Sequence, residues 1–181
     1  MRVVDLIIVV GWVVFWLGWL AAATSVKSGR IRWGSHIGVR VALALLVALL
    51  LRQRVLHHPS NHNDALAIVG LVLFVLGLCV AVWARVHLGR NWGQPMSEKE
   101  DPELVTTGPY RWVRNPIYSG LILAMLGTAV AVNIQWLVIA IPVSGFFVYS
   151  AVMEARYMAT RFPDTYPAYQ DSTKMLIPYV F

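Results

Sequence analysis

An all-α fold, a polytopic membrane helical bundle with five transmembrane helices, is predicted from three observations. Of 181 residues, 58% are hydrophobic and 13% charged, whereas a soluble domain is usually about half apolar and about a quarter charged. The mean hydropathy is +0.62. The apolar residues are also gathered into runs of helix-spanning length. A single domain over residues 1–181 is expected at this length.

The spans are predicted at about residues 3–26, 38–51, 65–86, 117–132 and 134–153. The first ends near Ala21-Ala22-Ala23 and imitates a signal peptide in position. Its apolar stretch of about two dozen residues exceeds the usual core of about 7–15, and Asp5 weakens a basic leader, so a retained span is expected. The second is short for a hydrocarbon layer of about 30 Å and draws on flanking residues. On the third, Gly70 and Gly77 recur at heptad spacing, as do Gly11 and Gly18 on the first. Each pair falls on one helix face, where small residues permit close packing. Cys79, the single cysteine, excludes an intramolecular disulfide and reads as a buried small hydrophobe. Spans four and five are separated only by residues 133–135, which predicts a tight helical hairpin.

Basic residues set the orientation. With five spans, twelve of the fifteen Lys and Arg residues fall on one side, leaving Arg2, Arg52 and Arg54 on the other. The positive-inside rule then places the N-terminus outside and the C-terminus in the cytoplasm, in a cell inner membrane. The long loop before span four and the tail after Glu154 share the cytoplasmic side, where they can build one site within residues 88–181. Topology and anionic membrane lipid account for the net charge of +6. No nucleic-acid partner is needed.

Other groupings carry less. His57, His58 and His62, with Asn61, Asn63 and Asp64, sit in an outer loop at irregular spacing, so an interfacial polar loop is expected and no metal site is assigned. Trp12, Trp16 and Trp19 form a stripe read as interfacial or packing. No P-loop, GxGxxG, HExxH or GxSxG pattern is present.

The most informative stretch is LVTTGPYRWVRNPIYSG, residues 104–120. Pro109 and Pro116 restrict the backbone on either side of it, and Gly108 permits a sharp turn. Pro116 suits the first turn of span four, where its missing N–H costs nothing. Tyr110, Trp112 and Tyr118 supply aromatic faces, and Arg111 and Arg114 supply forked donors. Taken alone, this also reads as an interfacial anchor. Glu154 follows span five directly, and a carboxylate at depth costs on the order of 2.5–3.5 kcal/mol, so it needs a partner or a function. Beyond it RFPDTYPAYQ places Arg161, Tyr166 and Tyr169 at about helical spacing. An interface helix whose Glu154 pairs with an arginine such as Arg114 is the simpler reading.

Together these residues resemble the isoprenylcysteine carboxyl methyltransferase family of integral membrane enzymes, which is related to phospholipid N-methyltransferases and bacterial thiol methyltransferases. The resemblance covers about residues 88–181. It implies S-adenosylmethionine held in a cytoplasmic pocket closed by the tail, with a lipid-facing tunnel for a lipophilic substrate. It assigns Gln94, Glu103, Leu104, Val105, Tyr110, Asn115, Pro116, Ile117, Tyr118 and Glu154 to the cofactor. Asn115 stands where the family usually has His, which removes a titrating group there. Ser150 stands where prenylcysteine enzymes place an Arg for the substrate carboxylate, so Arg114 or Arg161 would have to substitute.

The implied chemistry is displacement at a methyl group by an oxygen, sulfur or nitrogen nucleophile, which needs alignment more than acid–base work. Arg114 is expected to orient an anionic substrate. Glu154 is expected to hold the cofactor and to help take a proton from an amine. The alternatives are a membrane reductase using NADPH, since sterol reductases have a similar C-terminal pocket, and a non-catalytic membrane protein of the same architecture.

Overall fold

The structure is a computed structural model that describes residues 2–23, 29–31, 38, 41–45, 48, 63–91, 97–99 and 103–181. Its helices are α1 (Val3–Ala23), α2 (Asp64–Leu88), α3 (Pro116–Ala131), α4 (Leu137–Arg161) and α5 (Tyr166–Ser172). Short 3-10 turns occupy Gly89–Asn91, Gly108–Arg111 and Ile134–Trp136. Among the described residues, three helical stretches, Val3–Ala22, Asp64–Leu88 and Ile134–Arg161, are long and apolar enough to cross a membrane. The fourth apolar helix, α3, has 16 residues and at about 1.5 Å per residue falls short of a full bilayer. The expected second span lies mostly outside the described residues, and within it residues 41–45 are helical.

Strands β1 (Gly29–Ile31) and β2 (Ser97–Lys99) pair antiparallel, with Arg30 opposite Glu98. They qualify the all-helical expectation only slightly. They also bring part of the segment after α1 against part of the loop after α2.

Element ends follow local chemistry. The Asn63 side chain accepts from the amides of Ala65 and Leu66 and caps α2, so this member of the polar cluster is a helix cap. His57, His58, Asn61 and His62 lie outside the described residues. Asn133 accepts from the Gln135 amide and starts the 3-10 turn of the hairpin between α3 and α4. The fifth span was expected to end at residue 153, but α4 continues to Arg161. Hydropathy falls after Met153 while helix-forming residues such as Glu154, Ala155, Arg156 and Met158 continue. Glu154 therefore lies inside the helix, about two turns before its end.

The closest packing joins α2 to α3. A Cβ added at Gly70 would overlap the Ala131 amide, and one at Gly77 the Ala124 amide. One at Gly120 would meet the Gly77 carbonyl, and one at Gly127 the Phe74 amide. The two backbones thus run against each other along interleaved glycines and alanines, the arrangement by which helices associate without a hydrophobic drive. The expected role of Gly70 and Gly77 holds. Gly11 likewise leaves room for the ring of Phe74, whereas Gly18 has open space at its missing Cβ. Cys79 is exposed on the outer face of α2 and is not part of the protein interior.

Helix α1 is tied at both ends. Arg2 pairs with Asp5 at 3.0 Å and donates to the Ala131 carbonyl at the end of α3. Trp12 donates to Thr128 at 3.1 Å and packs edge-on against Phe74, so this member of the tryptophan stripe is a packing residue. At the other end Arg85 donates to the Ala22 carbonyl and lies over the Trp19 ring.

Gly77→Leu is expected to overpack the seam and destabilise the protein by about 1–3 kcal/mol or more. Gly18→Ala should leave stability unchanged. Thermal unfolding in detergent compares the two.

Candidate active site

The loop before α3 is shaped by its own residues and then secured by the tail. Gly108 adopts φ 60, a conformation that favours glycine, and opens the 3-10 turn Gly108–Arg111. The Tyr110 amide closes that turn on the Thr107 carbonyl at 3.2 Å. Tyr110 is buried, and its own carbonyl accepts from the Tyr169 hydroxyl at 2.7 Å. Pro116 occupies the first position of α3, as its missing N–H suggests.

Residues 112–115 then run beside the tail. Val113 and Lys174 form a parallel bridge. The Arg114 amide donates to the Lys174 carbonyl at 2.8 Å, and the Asn115 amide to the Met175 carbonyl at 3.1 Å. The Asn115 side chain leaves its helix cap uncapped and turns to the same Met175 carbonyl at 3.3 Å. Ser119 donates to the Leu176 carbonyl. The expectation that the loop and tail meet is thereby met.

Glu154 is reached from α3. The Tyr118 hydroxyl donates to Glu154 Oε1 at 2.6 Å, and the Tyr118 ring stacks on Phe147 with centroids 4.9 Å apart. The simpler expectation, a Glu154–Arg114 pair, is not what forms. Arg114 Nη1 instead donates to the carbonyls of Gln170 and Thr173 and to the Thr173 hydroxyl. Arg114 therefore clamps the tail.

Electrostatics keep the surrounding phenols neutral. Burial pushes Tyr110 well above the ordinary tyrosine range, and the Glu154 and Tyr169 charges push it further. Burial raises Tyr169 likewise, with Tyr166 adding and Arg114 opposing. Tyr166 is raised by burial, with Arg114 opposing and Glu154 adding. The carboxylate therefore acts on Tyr110 and Tyr166 as well as on Tyr118.

The remaining anticipated residues are dispersed. Pro116 and Ile117 are buried, and Val105 packs against the cluster containing Tyr110, Ile117 and Tyr118. Leu104 is half-buried. Glu103 is exposed and accepts from the Asn91 side chain at 2.9 Å. Gln94 lies outside the described residues. Ser150 is fully buried, and its hydroxyl donates to the Phe146 carbonyl of its own helix. Arg161 is exposed in the last turn of α4. Sequence reasoning missed Phe147, although it lies about two helical turns before Glu154 and so shares its face. It also missed Thr173 and Met175, whose contribution is backbone carbonyls that no side-chain pattern announces.

Residues 65–165 match the family model described as phospholipid methyltransferase. The chain is 31% identical over 102 residues to the uncharacterized protein YpbQ of Bacillus subtilis, covering 55% of this chain and 60% of that protein. It is 27% identical over 150 residues to protein-S-isoprenylcysteine O-methyltransferase B of Arabidopsis thaliana, covering 80% of this chain and 76% of the relative. The A form from the same plant is 27% identical over 145 residues, with 77% and 74% covered.

Arg114→Met is expected to loosen the tail by about 1.5–3 kcal/mol, the usual worth of hydrogen bonds to a charged group. Limited proteolysis within residues 162–181 reads this as faster cleavage. Alkaline stability follows from the raised phenols. Unfolded tyrosine loses its proton near about pH 10, while folded Tyr110 keeps it. Stability is full below that pH and falls as pH rises beyond it. Tyr110→Phe should flatten this alkaline decline in denaturant titrations from pH 9 upward.

Proposed function

The chain belongs to the phospholipid methyltransferase family, and on that premise we propose that it transfers a methyl group from S-adenosylmethionine to a lipophilic acceptor. The observation that carries this reading is the 2.6 Å bond between Tyr118 and Glu154. It joins the loop-side helix to the tail-side helix at a carboxylate flanked by aromatic faces.

The residues fit that cofactor chemically. A carboxylate accepts hydrogen bonds from a ribose or an amino group, and the faces of Tyr118 and Phe147 attract a cation such as a sulfonium. When bound, S-adenosylmethionine would supply an electrophilic methyl group whose sulfur leaves as a neutral thioether without an acid. Tyr118 holds the Glu154 carboxylate in one orientation. Tyr110, Asn115, Pro116 and Ile117 would line the loop side, with Gln94, Glu103, Leu104 and Val105 leading into it. The tail, secured at Lys174, Met175 and Arg114, would cover the bound cofactor and keep water from it.

Two assignments shift with the geometry. Arg114 serves the reaction by holding the tail. Arg156 and Arg161, both exposed near the end of α4, are the cations we assign to an anionic acceptor. Ser150 contributes packing. For an amine acceptor, Glu154 is the group to take the released proton. The acceptor is a membrane-dissolved carboxylate of the isoprenylcysteine type, a thiol or an amine, and the Arabidopsis relatives named for isoprenylcysteine favour the first. The site faces the cytoplasm across an inner membrane, with the N-terminus outside.

Titration of the purified protein in detergent with S-adenosylmethionine and, separately, NADPH tests the reading. Binding of the former is expected, and binding of NADPH alone would make the protein a reductase. Glu154→Ala should abolish cofactor binding and Ser150→Ala should leave it nearly intact. Equal affinity of Glu154→Ala and wild type would remove the carboxylate from the site.

A further inference from the structure

His87, in the last turn of α2, contacts three of the four residues from Thr107 to Tyr110. Its Nε2 shares a 2.8 Å hydrogen bond with the Thr107 hydroxyl. Its ring lies against Gly108 so closely that a Cβ there would approach Cε1 and Nε2 to 2.7 Å. Its ring also stacks on Tyr110, with centroids 6.5 Å apart and planes inclined by 25°. Glycine at position 108 is favoured by its φ of 60, and its missing Cβ leaves the space that the imidazole fills.

These contacts act on the candidate site through Thr107 and Tyr110. The Thr107 carbonyl accepts the Tyr110 amide, so fixing Thr107 fixes where the tyrosine begins. Tyr169 grips the Tyr110 carbonyl from the tail. Tyr110 is therefore held between a membrane helix on one side and the tail on the other, within the field of Glu154.

We propose that His87 is a positioning residue: from the end of α2 it holds the Thr107–Tyr110 turn, and with it the Tyr110 ring, in the geometry that receives the cofactor. This rests on the function proposed above. His87 acts through Thr107 and Tyr110 and has no part in the transfer itself.

The full chain in detergent, with His87→Ala, His87→Gln, His87→Phe and Thr107→Val, tests this by two readouts. The first is amide hydrogen exchange across residues 104–113, and the second is S-adenosylmethionine affinity by calorimetry. In His87→Ala, exchange at the turn should rise about tenfold while the α2–α3 seam keeps its protection, and affinity should fall roughly 3- to 10-fold. His87→Gln, which keeps a hydrogen-bonding group, should recover part of both, and it stands in if the alanine variant does not fold. His87→Phe and Thr107→Val should lose the same increment, with no further loss when combined. Unchanged exchange at the turn would overturn the proposal. So would raised exchange with wild-type affinity, which would make the contact structural only. Failure of the wild type to bind S-adenosylmethionine would overturn the proposed function, and the exchange comparison would still decide whether His87 holds the turn.

Discussion

Lipid offers helices no hydrophobic reward for touching each other, so close contact must come from backbones that fit. Along α2 and α3, Gly70, Gly77, Gly120 and Gly127 remove every side chain that would keep the two apart, and Ala124 and Ala131 fill the remaining spaces. Phe74, the largest fully buried side chain among the described residues, sets its ring in the hollow left by Gly11, while its backbone lies against Gly127. Everything toward the loop follows from this seam. It fixes where α2 ends, and hence where His87 stands. It also fixes where α3 begins, and hence where Tyr118 points.

The loop and the tail solve each other's backbone problem. The Trp112 and Val113 amides close on the Pro109 carbonyl, but those of Arg114 and Asn115 have no partner in the loop or the neighbouring helices, and a buried amide without a partner is costly. The carbonyls of Lys174 and Met175 supply those partners, and Arg114 draws in Gln170 and Thr173 beside them. The segment covering the site is therefore held by main-chain pairing over a span where side chains can vary. Glu154 is bonded by Tyr118 and adds to the larger effect of burial in raising Tyr110 and Tyr166.

Much of this was legible in the order of residues. Heptad glycines announced the seam, Pro116 announced the start of α3, and the alternation of basic loops announced that loop and tail share a side. What escaped did so for physical reasons. Composition identifies a charge but not its direction, so Arg114 was a reasonable partner for Glu154 until geometry sent it to the tail. Hydropathy stops at Met153, but helix propensity does not, so α4 runs past its apolar stretch. Helix α2 is apolar on all sides, with no polar stripe to say which face meets lipid, and Cys79 was misplaced for that reason. His87 gave no pattern at all, because its meaning lies in a contact across 20 residues of sequence.

The pairing of Asn115 with Met175 crosses 60 residues of chain, and this distance has a consequence for biogenesis. At about 5–20 residues per second of translation, the ribosome needs roughly 3–12 s to deliver the second partner after the first. During that interval α2 and α3 can already lock, since they are neighbours in the chain, while the segment before α3 stands exposed at the membrane surface. A nascent chain that reaches only α3 would thus hold the α2–α3 seam while the amides of Arg114 and Asn115 still await the carbonyls of Lys174 and Met175. Release before residue 175 would leave that hairpin embedded with its loop unfastened, so the order of synthesis separates the packing of the helices from the fastening of the loop beside them.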